Sequence, residues 1–283
     1  MSAIVLGALP AQVRQPDQAL ARSLEAVALS EELGQPCSLA LALHFAAVVR
    51  QYRREAAAVQ QAAVAGTAVT TEHGLSFWHA GSLVMRGWAL AKQGATGAGI
   101  PLLREGLSAW MATGGGSNRT FFLALLAEAL AAEDRIEEGL DALAESLALI
   151  EKRGEGFYEA ELHRLRGEFL LRRSRDADTE AEACFRRALA IAQRRQARSL
   201  ELRATMSFTR LLQRQGRQAE ARPMLAACYE WFSEGLDTPA ARAQPAGRPT
   251  GHAADRALGR RRLVAAFDRA VSHAPRDHGF FVG

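Results

Sequence analysis

Gly99-Ile100-Pro101-Leu102-Leu103-Arg104-Glu105-Gly106 is echoed forty residues later by Gly139-Leu140-Asp141-Ala142-Leu143-Ala144-Glu145-Ser146. In both segments a small residue opens, a leucine follows four places on, and a second small residue follows at seven. The opening position recurs as Ala19, Val59, Gly99, Gly139, Ala181 and Ala221, spaced 40, 40, 40, 42 and 40 residues apart. The knob recurs as Phe185 and Leu225, and the second small residue as Ala26, Gly66, Ala188 and Cys228. Spacings of four and seven put these residues on one face of a helix. Twelve residues before the anchor, four units carry Ala47, Gly87, Ala127 and Thr209. The fourth hairpin has Gly167 fourteen residues ahead, because its turn is longer. Small residues at matching heights on two helices predict close crossings. A fixed period of this size marks a helical solenoid, in which each unit buries its apolar face by stacking on its neighbours.

The expected fold is therefore all-α: a right-handed solenoid of about five helix pairs plus a terminal helix. Asp17 to Leu33 reads as the first helix, with Asp17 at its N-cap and Gly34 as its stop. Further helices are predicted over 36–51, 53–72, 76–93, 97–112, 118–132, 135–152, 156–173, 177–195, 199–214 and 217–233, divided by short glycine-rich turns. Short connections suit antiparallel hairpins.

The chain has 283 residues, 48% of them hydrophobic, which is enough for a sizeable core. Its net charge of +4 is unevenly placed: residues after Thr238 carry eight arginines and three aspartates, so those before are close to neutral. Only Lys92 and Lys152 are lysines, which makes the arginine count a poor sign of a phosphate partner. Nucleic acid is thus not an expected partner. Cys37, Cys184 and Cys228 are isolated in helical patterns and read as thiols of a reducing compartment. No apolar run reaches the roughly 18 residues of a membrane span, so no membrane partner is expected and the expected location is cytoplasmic.

Several segments carry a family resemblance. They are Leu83-Val84-Met85-Arg86-Gly87-Trp88-Ala89-Leu90-Ala91, Phe121 to Ala129, Glu137 to Glu145, Phe157 to Glu168, and Glu180-Ala181-Glu182-Ala183-Cys184-Phe185. The small–large–small order resembles the tetratricopeptide repeat, with units nearer 40 than the usual 34 or so residues. The segments together look like the C-terminal repeat region of bacterial signalling proteins that join a class III adenylate/guanylate cyclase to a P-loop ATPase. The resemblance spans roughly residues 16–238. It implies a non-catalytic interaction and regulatory module, with cyclase and ATPase domains in cis in the full-length family. Two departures stand out. Residues 1–15 replace the helix that should precede Asp17, so they read as an irregular remnant. After Thr238 the pattern gives way to Pro239, Pro245, Gly247, Pro249 and Gly251, predicting a basic, largely disordered tail over 239–283 with one further helix at 253–272. Both breaks fit a truncated or frameshifted relative of the longer protein.

No segment carries catalytic chemistry. Gly94-Ala95-Thr96-Gly97-Ala98-Gly99 follows a helix, whereas a dinucleotide fingerprint follows a strand. Gly114-Gly115-Gly116-Ser117 lacks the lysine of a P-loop. The seven histidines include no His-x-x-x-His pair, and the cysteines no Cys-x-x-Cys. No catalytic residue, cofactor or metal is expected. The concave face is the better candidate. In such repeats the first helix of each pair lines the groove, which places His44, Tyr52, Trp88, Lys92, Phe121 and Glu128 along one half. Arg164, Arg172, Arg203, Arg210 and Arg214 fall along the other half. Aromatic rings beside guanidinium forks suit a protein or peptide partner with an acidic end, or an anionic small ligand bound by a sensor domain. The alternative is that these arginines are solvated, or paired with Glu161 and Glu168.

Overall fold

The computed structural model describes residues 16–115, 118–154, 156–174 and 176–229. Eleven helices and no strand lie among them: α1 (Pro16–Glu32), α2 (Pro36–Tyr52), α3 (Ala56–Glu72), α4 (Ser76–Lys92), α5 (Thr96–Ala112) and α6 (Arg119–Ala132). They continue as α7 (Ile136–Arg153), α8 (Glu159–Arg173), α9 (Asp178–Arg194), α10 (Arg198–Arg214) and α11 (Gln218–Tyr229). The helices expected from the repeat are all present, with ends displaced by at most a few residues. The expectations for 1–15, for the end of the last helix, for 239–283 and for a helix at 253–272 lie outside the described residues.

The turns explain why the helices end where they do. Gly34, Arg54, Gly74, Gly94, Gly114, Asp134, Gly154, Gln196 and Gly216 all have positive φ. Most of these turns close a helix with the paired bonds of a Schellman cap. After α4, for example, Gly94 N–H donates to the Ala91 carbonyl at 3.1 Å and Ala95 N–H to that of Leu90 at 2.9 Å. The cap recurs about every twenty residues along most of the described chain, so most helices are followed by an equally tight reversal. That regularity is what sets neighbouring helices antiparallel.

Two layers result. The even-numbered helices pack along the chain of repeats, α2 on α4, α4 on α6, α6 on α8 and α8 on α10, while the odd-numbered helices pack chiefly on their sequence neighbours. Burial follows this division. Helix α3 buries one stripe, Val59, Ala62, Ala63, Gly66 and Thr70, whereas α6 buries every residue from Thr120 to Ala131. Among the described residues, no helix is long and apolar enough to cross a membrane.

The small anchors lie at the crossings predicted for them. A Cβ added at Gly99 would stand 2.5 Å from the Gly87 carbonyl oxygen and 2.8 Å from the Ala91 amide nitrogen. One added at Gly87 would stand 2.7 Å from the Gly99 carbonyl oxygen. Helices α4 and α5 therefore meet backbone to backbone. Farther along, the room is taken by rings instead: Phe169 faces Gly139 and Phe185 faces Gly167.

The widest part of the core is aromatic. Trp88, Trp110, Tyr158, Phe121 and Phe122 are among its largest fully buried side chains. His44 of α2 sits in a box of rings, with centroids 5.5 Å from Trp78, 5.6 Å from Phe45, 6.2 Å from Trp110 and 6.3 Å from Phe122. It therefore packs among rings of the same core as Tyr52 and Phe121, and not beside the charged groups with which it was expected. It is buried, and neither ring nitrogen has a hydrogen-bond partner. Burial pulls its pKa down to about 4, from 6.5 in the unfolded chain. A histidine depressed in this way supports the fold fully above pH 6.5 and withdraws that support as pH falls towards 4. The expected loss across this window is about 3 kcal/mol, at about 1.4 kcal/mol per pKa unit. His163 shifts the same way through burial, so the difference between wild type and His44→Leu isolates the term. Thermal melts from pH 7 to pH 5 should show a shallower decline in the variant. Parallel curves would contradict the assignment.

Candidate functional site

The inner layer carries a network of buried charge, assembled from one residue or more of every even-numbered helix but α2, whose following turn supplies Arg54. Arg54 is one of four non-glycine residues with positive φ among the described residues, a conformation that costs about 1 kcal/mol or more. Its placement throws the guanidinium across the inner layer onto Glu128 of α6, which it holds through two bonds of 3.0 and 2.8 Å. The same guanidinium stands 5.6 Å from the centroid of Trp88 on α4. Lys92, the last residue of α4, brings its Nζ to 3.4 Å from Glu128 Oε2.

Helix α8 supplies the second half. Glu161 Oε1 accepts from Arg164 Nη2 at 2.6 Å and from Arg203 Nη2 of α10, and Glu161 Oε2 accepts from Arg164 Nε at 3.0 Å. Arg164 Nη1 reaches Glu168 Oε1 at 2.6 Å and Ser207 Oγ at 3.1 Å. The Ser207 hydroxyl donates in turn to Glu168 at 2.6 Å. The halves meet where Arg203 Nη2 approaches Glu128 Oε1 and Arg54 Nη2 approaches Glu161 Oε1, both at 4.0 Å. Glu161 is wholly buried, and Arg203, Arg164 and Glu128 nearly so.

Burial disfavours every one of these charges, and the pairing decides their state. For Glu128, burial pushes the carboxyl up, but Arg54, Lys92 and Arg203 outweigh it and hold it well below the usual carboxylate range. Glu168 is opposed by burial too, and Arg164 with Ser207 holds it down to about 2. Lys92 is pulled up by Glu128, yet burial and the neighbouring Arg54 and Arg203 together lower it. Tyr52 and Tyr158 are raised, chiefly by burial, and stay protonated phenols. Tyr158 packs edge-on to Phe121 at 5.0 Å and to Tyr52 at 5.7 Å, closing the aromatic side of the cluster.

The structure thus brings Tyr52, Trp88, Phe121, Arg164 and Arg203 together, with Lys92 at the edge. They are buried against one another and against paired carboxylates, and only Lys92 of the six is substantially open to solvent. The pairing with Glu161 and Glu168, weighed above as the alternative, describes Arg164 and its neighbours. Arg210 lies at the outer end, 3.9 Å from Glu168, with its side chain 59% exposed. Arg172 and Arg214 are apart from the cluster, exposed and paired with Asp134 at 3.0 Å and with Asp178 respectively. Sequence reasoning missed Arg54, Tyr158 and Ser207. For Arg54 a signal existed: Gly34, Gly74, Gly94 and Gly114 mark the turn position at multiples of twenty, and an arginine stands at the missing step. Among the described residues, no group of three or more His, Cys, Asp or Glu side chains could hold a metal ion.

Solved structures share this architecture. The apo form of RapI aligns with a TM-score of 0.60 at 14% identity, covering 77% of this chain and 77% of its own. BtubC (BKLC) from P. vanneervenii aligns at 0.53 and 12% identity, over 84% of this chain and 97% of its own. TPR-like repeats of a Podosopora anserina kinesin light chain align at 0.46 and 17% identity, over 67% of this chain and 92% of theirs. No family model and no curated protein matches the sequence. The likeness is one of fold: the chain is an all-α, tetratricopeptide-like helical solenoid.

Proposed function

We propose that this chain is a protein-interaction and regulatory repeat module, belonging to a bacterial signalling protein whose cyclase and P-loop ATPase domains lie in cis. One observation carries the reading. The inner layer is locked by buried ion pairs and backbone-to-backbone helix contact, while three of the candidate arginines stand exposed towards the C-terminal ends of α8 and α10. A preformed surface of this kind binds a partner with little ordering cost. The partner-facing groups are Arg172, Arg210 and Arg214, and they suit an acidic segment; the buried candidates hold the surface in shape. The family resemblance of the repeat segments supports the cyclase and ATPase context.

The test uses the coding sequence upstream of Met1 and the nucleotide-hydrolysing domains it or its neighbours specify. Adding the chain to such an ATPase domain is expected to change its turnover. The double variant Arg210→Glu with Arg214→Glu, which replaces two exposed guanidinium groups, is expected to weaken the effect roughly tenfold and to remove its salt dependence. Unchanged turnover with the wild-type chain would count against the cis-regulatory role. Equal potency of the double variant would move the partner surface elsewhere.

A further inference from the structure

The buried network is unbalanced, and every imbalance has the same sign. Among the described residues, Arg54, Lys92, Arg164 and Arg203 pair with Glu128, Glu161 and Glu168, four cations against three carboxylates. Arg210 adds a further positive charge at the outer end. The unused hydrogen-bonding atoms tell the same story. Arg203 Nη1 has no partner, although Nη2 of the same guanidinium is held by Glu161. The Tyr158 hydroxyl, within electrostatic reach of Arg203, Glu161, Glu128 and Arg54, has none either. Nor does Trp88 Nε1, in the ring that lies beside Arg54. Two are donors only and the third is a hydroxyl that can donate, and all three belong to buried residues. A buried donor without an acceptor is costly, and more so when it is charged. What the cluster lacks is an acceptor carrying negative charge.

We propose that the cluster is an anion site that takes one carboxylate or phosphate group, admitted beside Lys92 and Arg54 and received by Arg203 Nη1 and the Tyr158 hydroxyl. The route follows from exposure: the Lys92 side chain is 36% exposed and that of Arg54 17%, whereas Arg164 and Arg203 are sealed in. Lys92 also holds Glu128 more loosely than Arg54 does, at 3.4 Å against 2.8 Å, so it can turn to an incoming oxyanion without stranding that carboxylate. Arg54 then has a use that explains an arginine in a turn position otherwise mostly given to glycine. The site goes beyond the partner reading, because the excess charge is there whether or not a partner is bound.

The test is thermal melting of the full chain in inorganic phosphate and in acetate, against sodium chloride at equal ionic strength. A saturable rise of roughly 5–10 °C is expected at a hundredfold excess over Kd. Lys92→Met and Tyr158→Phe should each shift the midpoint of that response about tenfold higher, the loss of one hydrogen bond to a charged group. Tyr158→Phe removes only an unpartnered hydroxyl, so its melting point in chloride should equal or exceed that of wild type. A short peptide with a free C-terminal carboxylate, compared with its amidated form, separates the sources. Tighter binding of the free acid than of acetate assigns the anion to a partner chain, and equal binding assigns it to a free solute. A response no larger than chloride's, or one unchanged in both variants, overturns the proposal.

Discussion

Glu161→Ala is expected to lower stability by about 3–5 kcal/mol, the cost of breaking a buried ion pair from one side. On a domain of this size that is a fall in Tm of roughly 10 °C or more. The reason lies in what the carboxylate leaves behind. Arg164 retains Glu168 at 2.6 Å and Ser207 at 3.1 Å, so it keeps much of its compensation. Arg203 keeps only Glu128 at 4.0 Å, beyond hydrogen-bond range, in a place with almost no solvent. A buried guanidinium without a close anion is among the costliest defects a core can hold. Glu161→Gln preserves shape and some hydrogen bonding but not charge, and should fall between the alanine variant and wild type. The exposed Arg22–Glu25 pair, at 2.8 Å, serves as the control: Arg22→Ala should cost less than about 1 kcal/mol. Melts that place Glu161→Ala no lower than Arg22→Ala would mean that the network does not hold the inner helices together.

Two glycines of α5 should respond to the same substitution with opposite signs. Gly99→Ala puts a methyl 2.5 Å from one backbone atom and 2.8 Å from another, and neither can yield as a side chain does. Helices α4 and α5 must separate, at a cost of about 3 kcal/mol, the upper end of ordinary overpacking. Gly97 lies two residues earlier in the same helix with nothing within 4 Å of an added Cβ. There alanine gains helix propensity and backbone stiffness, so Gly97→Ala should lie within about 0.5 kcal/mol of wild type, on the stabilising side. Urea denaturation of the pair reads this directly. Equal effects at the two positions would show that the close approach of α4 and α5 is not a constraint.

Particular residues show how far the site was legible. The period identified the helices, and register placed Tyr52, Trp88, Phe121, Arg164 and Arg203 on facing sides of the inner ones. It could not say whether those sides would leave a gap. That depends on the lateral spacing of α4, α6, α8 and α10, and here the spacing lets Glu128 and Glu161 close onto arginines from other helices. Sequence distances of 74 residues between Arg54 and Glu128 and 42 between Arg203 and Glu161 put such pairs beyond any local pattern. His44 is a similar case. Helical register put it near Tyr52, but Gly81 leaves just enough room for its ring, since an added Cβ there would stand 2.8 Å from it.

The sequence alone determined the all-helical repeat, the helix boundaries and the small residues at the crossings. Each of these is set by interactions within a turn of helix or a tight reversal: the 3.6-residue period, and a left-handed cap recurring about every twenty residues. Only the tertiary structure decided what the inner face became. Charges from five separate parts of the chain meet there, and the carboxylates of Glu128, Glu161 and Glu168 pair with arginines on the face where the groove was expected. The arginines left outside, and the unpartnered donors left inside, are consequences of that meeting and of no single segment.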